Sequence, residues 1–509
     1  MIRSRVIAAI DVAGKTRVDD SADVVIVGSG CAGATAARVL TEAGLDVIIV
    51  EEGPWVPASE RQHDTWGAFR RSYRDRGFQV AEGRSLLPVV QGCCVGGSTA
   101  INGAIVHRMP EKILHHWKSE YGIDGMITMD ALDRVYARLD EELGVAPGPE
   151  EVLGRNNQLM RKGCDALGIG SNVIRRNVRD CQGSGHCLQG CPGARKQSMD
   201  VTYLPRAVQA GARLYCDARA DRVILENGRA TAVIGTFVGG PQRRARTPFT
   251  MRAKKAVVVA ASAIQTPLLL AASGVGRSSG LVGQRLQLHP GTSIMAVYDE
   301  PVKVWSGISQ GYETTHWWEE RMKMEAVGVP FEVGAARLPG FGRDLVQRIA
   351  AFENVSQWGV QIRSTSLGSV RRNWSGRAVI RWSWSAGDVA RVKIGLRRLA
   401  QMAFAAGARS VFPGVHGMPE EIAGVDAFDK LDALPDDPRL FHGIASHMFG
   451  TAIMGRHARS SVVGLDGQAH DVKRLFVADS STYPTNMGVN PAHTICAVSW
   501  LIAERIAAG

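Results

Sequence analysis

Asp23-Val-Val-Ile-Val-Gly-Ser-Gly-Cys-Ala-Gly33 is the stretch of sequence that decides the fold of this chain. The segment up to Val27 is rich in apolar β-formers, which predicts a buried strand. A small-residue helix from Ala34 to Ala43 and a second apolar strand from Asp46 to Val50 follow, and Glu51 comes directly after that strand. The order strand, glycine turn, helix, strand, acid predicts a dinucleotide-binding unit.

Each residue type in this unit has a physical role. Gly28 makes the tight turn, Gly30 lets the backbone approach a pyrophosphate at the helix N-terminus, and Gly33 allows close packing of helix on strand. Glu51 can accept a hydrogen bond from a ribose hydroxyl. The pattern is typical of both NAD and FAD sites and does not separate them.

A second glycine-rich segment runs from Gln91 to Gly103. Paired glycines at 96 and 97, two hydroxyls and the amide of Asn102 lie within seven residues. Such a segment can lay backbone N–H groups against a flat ring or a phosphate. It is also compatible with a simple turn between core elements.

The C-terminal segment combines a strand, a polar loop and a helix. The apolar run from Leu475 to Ala478 ends at Asp479, and Asn490 stands immediately before Pro491 at the predicted start of a helix that runs to Ile506. A helix N-terminus suits the electron-rich edge of a cofactor that becomes negative on reduction. The amide of Asn490 either turns toward a substrate oxygen or only caps the helix.

Two further segments carry residues that are candidates for chemistry. His447 precedes a glycine turn and is a candidate base, although a lone histidine is more often a core or surface residue. Three cysteines, Cys181, Cys187 and Cys191, lie within eleven residues of one loop. They are compatible with buried free thiols, with a zinc site that includes His186, or with an iron–sulfur cluster.

From about residue 296 to 440 the chain alternates polar and aromatic residues. The alternation predicts a sheet with one solvated or ligand-facing side. Its tryptophans belong either to the core or to the wall of a pocket for a bulky apolar or aromatic substrate. They are Trp305, Trp317, Trp318, Trp358, Trp374, Trp382 and Trp384.

Composition places the chain in the globular class. Its 509 residues, 45% of them apolar and 21% charged, are enough for a large core and more than one domain. No apolar run is long enough for a membrane span, and the N-terminus has too short an apolar core for a signal peptide, so we expect a cytoplasmic protein. Nine cysteines, an odd number, do not indicate a disulfide framework.

The net charge of +11 has two interpretations. It is either a basic, solvated surface or an attraction for an acidic electron-acceptor protein or an anionic substrate. The basic clusters are short and lack interleaved aromatic residues, so no nucleic-acid partner is expected.

Taken together, the motifs resemble the glucose–methanol–choline (GMC) family of FAD oxidoreductases over nearly the whole chain. The Gly-Val-Asn-Pro sequence and the cysteine loop are most similar to the cholesterol-oxidase and long-chain-alcohol-oxidase branch. The matching segments are, in chain order, Gly28-x-Gly30-x-x-Gly33 with Glu51, Gly96 to Asn102, Ala263 to Leu270, Ser273-Gly274-x-Gly276, Gly283 to Pro290, His447-x-x-Gly450-Thr451 and Asn490-Pro491.

The resemblance implies an α/β fold with a Rossmann-like FAD-binding domain and a discontinuous substrate-binding domain built on an antiparallel sheet. Residues 1–60, 90–110, 195–295 and 440–509 would form the FAD-binding domain. Residues 61–89, 111–194 and 296–439 would form the substrate-binding domain and the cysteine loop.

The resemblance also assigns residues to the cofactor. The three motif glycines would hold the pyrophosphate and Glu51 the adenine-side ribose, and the histidine that tethers FAD covalently in some members is replaced by Ile101, so FAD would be non-covalent. His447 and Asn490 would face flavin N5. The other expected cofactor contacts are Gly97, Ser98, Asn102, Val223 through its backbone, Asp479 and Pro491.

The function implied is oxidation of a bulky apolar or aromatic alcohol to a carbonyl by hydride transfer to flavin N5. His447, with a pKa near the operating pH, would be the general base, and Asn490 would orient the carbinol. The cysteine spacing also resembles the FAD subunit of sugar dehydrogenases that carry a [3Fe–4S] cluster and reduce a cytochrome or quinone. A flavin-binding lyase or non-oxidative flavoprotein is the third alternative.

Overall fold

The computed structural model describes residues 3–61, 64–239 and 246–509, which form two large sheets and twelve α-helices within those ranges. The strands are β1 (Val6–Ile7), β2 (Val18–Val27), β3 (Val47–Val50), β4 (Val80–Glu82), β5 (Leu87–Pro88), β6 (Val145–Pro147), β7 (Asn172–Val173), β8 (Arg175–Asn177), β9 (Arg213–Tyr215), β10 (Ala218–Glu226), β11 (Arg229–Phe237), β12 (Pro248–Val259), β13 (Gln287–Val297), β14 (Tyr312–Thr314), β15 (Met322–Ala326), β16 (Val355–Ile362), β17 (Ser369–Arg372), β18 (Ala378–Arg381), β19 (Ser410–Phe412), β20 (Ile444–Phe449) and β21 (Leu475–Val477). The helices are α1 (Cys31–Glu42), α2 (Thr65–Ser72), α3 (Glu111–Tyr121), α4 (Met129–Glu142), α5 (Arg155–Ala166), α6 (Tyr203–Gln209), α7 (Ser262–Ala272), α8 (Phe331–Ala335), α9 (Gly342–Ala350), α10 (Ala386–Ala405), α11 (Asp429–Ala433) and α12 (Ala492–Ala508).

The first sheet has eight strands in the order β1-β9-β3-β2-β12-β11-β10, with β21 also paired to β12. Strands β1, β9, β3, β2, β12 and β21 run parallel to one another, and β12, β11 and β10 form an antiparallel extension. Parallel strands are covered on both faces, and β3 is accordingly buried at every residue. The predicted β–α–β unit is β2, α1 and β3, which confirms the Rossmann-like prediction.

The second sheet has seven strands in the order β19-β13-β16-β15-β14-β7, with β20 also paired to β13, and every pairing in it is antiparallel. The predicted α/β fold with an antiparallel second sheet is therefore confirmed. Strand β13 crosses the predicted domain border at residue 295, and β20 lies in the second sheet although we predicted 440–509 for the first domain. The other domain boundaries stay predictions.

Helix α12 joins the C-terminus to the first sheet by packing on α1. Ser499 Oγ donates to the Ala32 carbonyl at 2.7 Å, and the Cys496 thiol lies 3.7 Å from the Cys31 carbonyl. Small residues in α1 make this close approach possible, because little side chain separates the two backbones. The N-termini of both helices are thereby brought to the same side of the molecule.

In the described part of the chain, no helix is both long enough and apolar enough to cross a membrane.

A group of charged side chains is buried in the second sheet. Lys323 Nζ lies 2.9 Å from Glu313 Oε2 and also contacts Glu325, and His107 Nε2 lies 3.0 Å from Glu313 Oε2. Gln310 and Gln361 donate to the other Glu325 oxygen at 2.8 and 3.2 Å. Lys323 is 1% exposed, so its charge is stable there only because two carboxylates neutralise it.

Replacing this lysine should destabilise the fold strongly. We expect Lys323→Met to lower the free energy of unfolding by about 3–5 kcal/mol, because two carboxylates lose their buried counter-charge. Lys255→Met, at an exposed position of β12, should change it by less than about 0.5 kcal/mol. Urea unfolding of the two variants measures both values, and equal effects would contradict the role of the buried cluster.

Candidate active site

One cavity of about 960 Å³ is lined by residues of both sheets. Its walls include the turn between β2 and α1, the second glycine-rich segment, strands β13 and β16, the residues around His447 and the N-terminus of α12. A cavity of this size, lined by both apolar and polar side chains, is typical of a cofactor and substrate site.

The turn between β2 and α1 forms one end of the cavity. Gly28 has φ +100°, and a Cβ atom there would lie 2.3 Å from the Ala260 carbonyl oxygen. A Cβ atom on Gly33 would lie 1.9 Å from the Gly28 oxygen, so this glycine is required for packing, as predicted. A Cβ atom on Gly30 would meet nothing nearer than Gly97 Cα at 4.0 Å. The absence of a side chain at Gly30 therefore serves the cavity and not the protein core.

Glu51 lies at the end of β3 and lines the cavity. One of its oxygens accepts from Ser29 N–H at 2.9 Å and Ser29 Oγ at 2.6 Å, and the other accepts from Gly53 N–H at 2.8 Å. Burial raises the pKa of Glu51, and these three hydrogen bonds counteract that rise. A carboxylate has about four acceptor positions, so one remains for a ribose hydroxyl.

The second glycine-rich segment packs against the first. A Cβ atom on Gly97 would lie 2.8 Å from Gly30 Cα, so the two backbones share one wall of the cavity. Ser98 is exposed within that wall, and Asn102 Oδ1 accepts from Ala104 N–H at 3.0 Å. Ile101 also lines the cavity, where it presents no nucleophile to a cofactor.

Asp479 lines the cavity from the loop after β21 and organises its surroundings. Its carboxylate accepts from Ser262 N–H at 2.9 Å, Thr266 Oγ1 at 2.5 Å and Ser481 N–H at 2.9 Å. Burial raises the pKa of this carboxyl, whereas the hydrogen bonds lower it. Asp479 thus joins α7 to the C-terminal segment beneath the cavity.

The amide of Asn490 does not cap α12. The helix begins at Ala492 with Pro491 as the capping residue, and no side-chain capping hydrogen bond is made. Asn490 Nδ2 instead lies 3.4 Å from His447 Nε2, and its buried Oδ1 has no hydrogen-bond partner among the described residues. The capping interpretation is therefore wrong, because the tertiary contact takes the side chain away from the helix end.

His447 contacts a second imidazole on its other side. Its Nδ1 lies 3.1 Å from Nδ1 of His289, and the two rings stack with centroids 5.3 Å apart. With the Asn490 N–H group directed at Nε2, the consistent assignment gives that nitrogen the lone pair and gives Nδ1 of His447 the proton. His447 then donates to His289, so the arrangement presents an acceptor nitrogen to the cavity.

Both imidazoles are neutral. Burial is the main cause that lowers the pKa of His447 to about 3, and the positive charge of Lys323 acts in the same direction. Burial and the neighbouring His447 lower the pKa of His289 well below its usual range. The prediction of a pKa near the operating pH is therefore wrong, because the fold buries the ring and places the charge of Lys323 in the same sheet, and the local sequence shows neither effect.

Comparison with known proteins identifies the family. The family models for GMC oxidoreductases match residues 22–291 and 365–499. The chain is a GMC oxidoreductase.

Two relatives and one solved structure illustrate this membership. An uncharacterised GMC-type oxidoreductase of Mycobacterium tuberculosis is 33% identical over 492 residues, which cover 96% of this chain and 76% of the relative. A long-chain-alcohol oxidase of Arabidopsis thaliana is 26% identical over 521 residues, covering 95% and 66%. Formate oxidase of Aspergillus oryzae superimposes with a TM-score of 0.75 at 16% identity, covering 96% and 99% of the two chains, which shows the fold.

The cavity of this GMC oxidoreductase fits FAD, the cofactor that the family and its flavoenzyme neighbours support. The bare Gly30 backbone and the N-terminus of α1 suit a pyrophosphate, and the N-terminus of α12 suits the ring edge that becomes negative on reduction. The unpartnered Asn490 Oδ1 offers an acceptor at the same place. His493 lies outside this cavity, stacked on Tyr136 with centroids 5.2 Å apart.

The structure does not bring Val223 to the cavity. Its N–H donates to Ser273 Oγ at 2.9 Å, and the cavity is lined instead by the start of β10, residues 218–221. The adenine contact through Val223 stays a prediction that this geometry does not favour, because the N–H group of Val223 already donates to Ser273.

The cysteine loop of the GMC oxidoreductase is held by cations. Arg176 Nη2 donates to Cys187 Sγ at 3.1 Å, and Lys196 N–H donates to Cys191 Sγ at 3.3 Å. Burial raises the pKa of Cys187, but the charges of Arg176 and Lys196 outweigh burial and bring it to about 7. Lys196 Nζ also donates to the carbonyls of Ala100 and Asn102, so the loop supports the second glycine-rich segment.

No group of three or more histidine, cysteine or carboxylate side chains among the described residues could hold a metal ion. The structure therefore does not support the suggested [3Fe–4S] cluster on Cys181, Cys187 and Cys191, nor zinc with His186.

The tryptophans do not line the cavity. Trp358, Trp382 and Trp384 are buried in the core, and Trp374 is 99% exposed. The cavity wall formed by β13, β15 and β16 carries polar residues instead, whereas an apolar strip at Val327, Val329 and Val333 lies beside it. The alternation predicted the sheet correctly but not which face turns toward the cavity.

Sequence reasoning missed several residues of the site. His289 was visible in the sequence as part of a His-Pro motif. Its role became visible only in the structure, where it lies on a strand beside His447. Nothing in the local pattern indicated the polar residues of the antiparallel sheet or the arginine that follows α8. They are Ser293, Glu325, Arg337, Gln357 and Gln361.

The glycines of the first turn allow a matched test of cofactor binding. We expect Gly30→Ala to fold normally, because its φ is −67°, but to weaken FAD binding about 5- to 100-fold by filling the space for a ligand. Gly33→Ala should lower the free energy of unfolding by about 1–3 kcal/mol, since its Cβ atom meets the backbone. Titration of FAD and thermal unfolding measure the two effects, and unchanged FAD affinity in Gly30→Ala would contradict the assignment.

Proposed function

We propose that this GMC oxidoreductase oxidises the CH–OH group of a small-molecule alcohol to a carbonyl, with non-covalently bound FAD. The observation that carries the proposal is the convergence of His447 and Asn490 on one wall of the cavity, 3.4 Å apart. A long-chain-alcohol oxidase among the relatives supports the same reaction class. Ile101 supports non-covalent attachment, because the side chain cannot form a bond to the cofactor.

His447 is the proton acceptor in this proposal. Its Nε2 lone pair faces the cavity, and His289 holds the ring in the tautomer that leaves that lone pair available. A base with a pKa of about 3 is too weak to remove an alcohol proton in advance. The O–H proton therefore passes to Nε2 as the C–H bond breaks, and the carbonyl forms in the same event.

Asn490 orients the reacting carbinol. At 3.4 Å its contact with Nε2 is long, so an alcohol oxygen can donate to Nε2 and accept from the amide N–H. The amide N–H stabilises the negative charge that develops on the oxygen. FAD, when bound, supplies the acceptor of the hydride, N5 of its ring.

The cavity supports an alcohol of mixed polarity. The apolar strip at Val327, Val329 and Val333 suits a hydrocarbon part, whereas the buried amide oxygens of Gln357 and Gln361 have no partner among the described residues and accept from polar groups. We therefore retain the apolar part of the predicted substrate and not the aromatic part, which depended on tryptophans in the wall.

The alternatives gain no support. The sugar dehydrogenase hypothesis depended on the cluster, and the non-oxidative hypothesis is not favoured by any contact in the cavity.

A cytoplasmic location is part of the present proposal and is supported by nine free cysteines, which suit a reducing compartment.

Replacement of the proton acceptor should separate binding from chemistry. We expect His447→Gln to retain FAD but to reduce flavin about 10²- to 10⁴-fold more slowly with its best alcohol. His416→Gln, at an exposed histidine, should match the parent protein. Anaerobic stopped-flow bleaching of the flavin measures both, and full turnover in His447→Gln would exclude the assignment.

The low pKa of His447 predicts the pH profile. Because the folded value lies below the usual one, the acceptor form is lost only as the pH falls through about 3, and the rate should be level between about pH 5 and 8. The measurement is kcat/KM for the same alcohol across this range. A fall on the acid side centred near the pKa of an exposed histidine would contradict the geometry.

A further inference from the structure

Arg337 is a cation in the cavity wall that lacks a counter-ion. Its guanidinium Nη2 donates to the Ser293 carbonyl at 3.3 Å. Within the ranges 3–61, 64–239 and 246–509, no carboxylate oxygen lies within 4.0 Å of it. Two other arginines of the cavity lining are paired, Arg74 with Glu52 at 2.7 Å and Arg219 with Asp221 at 3.1 Å. Arg372 and Arg377 also line the cavity, but they are exposed to solvent, whereas Arg337 is half-buried.

The surroundings of Arg337 make this isolation costly. The residue is half-buried between α8 and β13, and burial lowers its pKa with no carboxylate to counteract it. Withdrawing a charge from water without a partner costs free energy that an anionic ligand would recover. A guanidinium also presents paired N–H groups that match a carboxylate.

The distance between Arg337 and His447 determines how long a ligand must be to contact both residues. His289, Gly291 and Ser293 are alternate residues of β13, and His447 contacts the first of them. Ser293 lies four positions after His289 on the strand, which corresponds to about 13 Å. Val329 and Val333 line the cavity near Arg337, so the intervening part of a ligand meets apolar as well as polar groups.

We propose that the substrate is an alcohol whose far end carries a carboxylate or similar oxyanion, bound by Arg337 while its hydroxyl lies at His447. This inference rests on the proposed alcohol oxidation and adds the chemical class of the substrate. Its hydrocarbon part lies along the valine strip, and the distance between its two polar ends matches about 13 Å.

The test compares ω-hydroxydecanoate with its methyl ester, using the holoenzyme and anaerobic flavin reduction. The parent enzyme should have a kcat/KM about 10- to 100-fold higher for the acid, because the ester lacks the charge-assisted hydrogen bonds. Shorter ω-hydroxyhexanoate should lose this advantage, since it cannot reach both ends of the site.

The variants assign the preference to one side chain. Arg337→Gln keeps a donor toward Ser293 but removes the charge, so the rate with the acid should fall to that with the ester, which itself stays unchanged. Arg337→Lys should restore part of the preference. Arg343→Gln, at an exposed position of α9, is the matched control and should behave as the parent. An equal loss for acid and ester, or no preference in the parent, would overturn the inference.

Binding without reaction separates this inference from the proposed function. Decanoate lacks the hydroxyl, and its affinity for the holoenzyme can be measured by calorimetry. Arg337→Gln should weaken the affinity for decanoate about 10- to 100-fold. If this weakening is found but no alcohol bleaches the flavin, only the proposed oxidation is overturned. Flavin reduction by neutral alcohols together with unchanged decanoate binding in Arg337→Gln would overturn only the anion site.

Discussion

The pairing of β20 with β13 is the constraint on which the site depends. It places His447 beside His289, 158 residues away in the chain, and turns its free nitrogen toward Asn490 at the start of α12. Helix α12 in turn packs on α1, the helix of the dinucleotide unit. One antiparallel pairing and one helix contact thus join the two halves of the site, and neither half contains a complete set of reacting groups.

This arrangement also determines the protonation state. A histidine that has to accept a proton must remain neutral beforehand, and the structure achieves this by burial and by placing Lys323 in the same sheet. The lysine in turn requires Glu313 and Glu325, which is why three charges are buried where an apolar core would be expected. The stability of the antiparallel sheet and the basicity of His447 are therefore linked through one side chain.

The parts of the fold that depend on local backbone geometry could be predicted from sequence. Gly33 is required because a Cβ atom would overlap the Gly28 carbonyl, so the β–α–β unit leaves a readable pattern. The local sequence could not decide the role of Asn490, because a tertiary contact with His447 overrides a strong capping rule. Only the resemblance to a family placed the two residues together. The alternation in the second half predicted a sheet, but which face meets the cavity depends on pairings between distant strands, so the sequence left open whether the tryptophans belong to the core or to the cavity wall.

The same distinction explains why sequence identifies the cofactor more readily than the substrate. The parallel sheet binds the cofactor through backbone N–H groups, helix N-termini and positions without a side chain. These requirements restrict the residue types at fixed spacings in the sequence. The antiparallel sheet offers the substrate side chains from strands separated by long loops, and almost any residue is compatible with such a position. Arg337 follows a short helix without any motif, and what indicates a ligand is its place in the cavity wall without a carboxylate nearby among the residues that the structure describes. Chemical specificity in this enzyme is therefore determined by tertiary contacts, whereas cofactor binding is determined by local sequence.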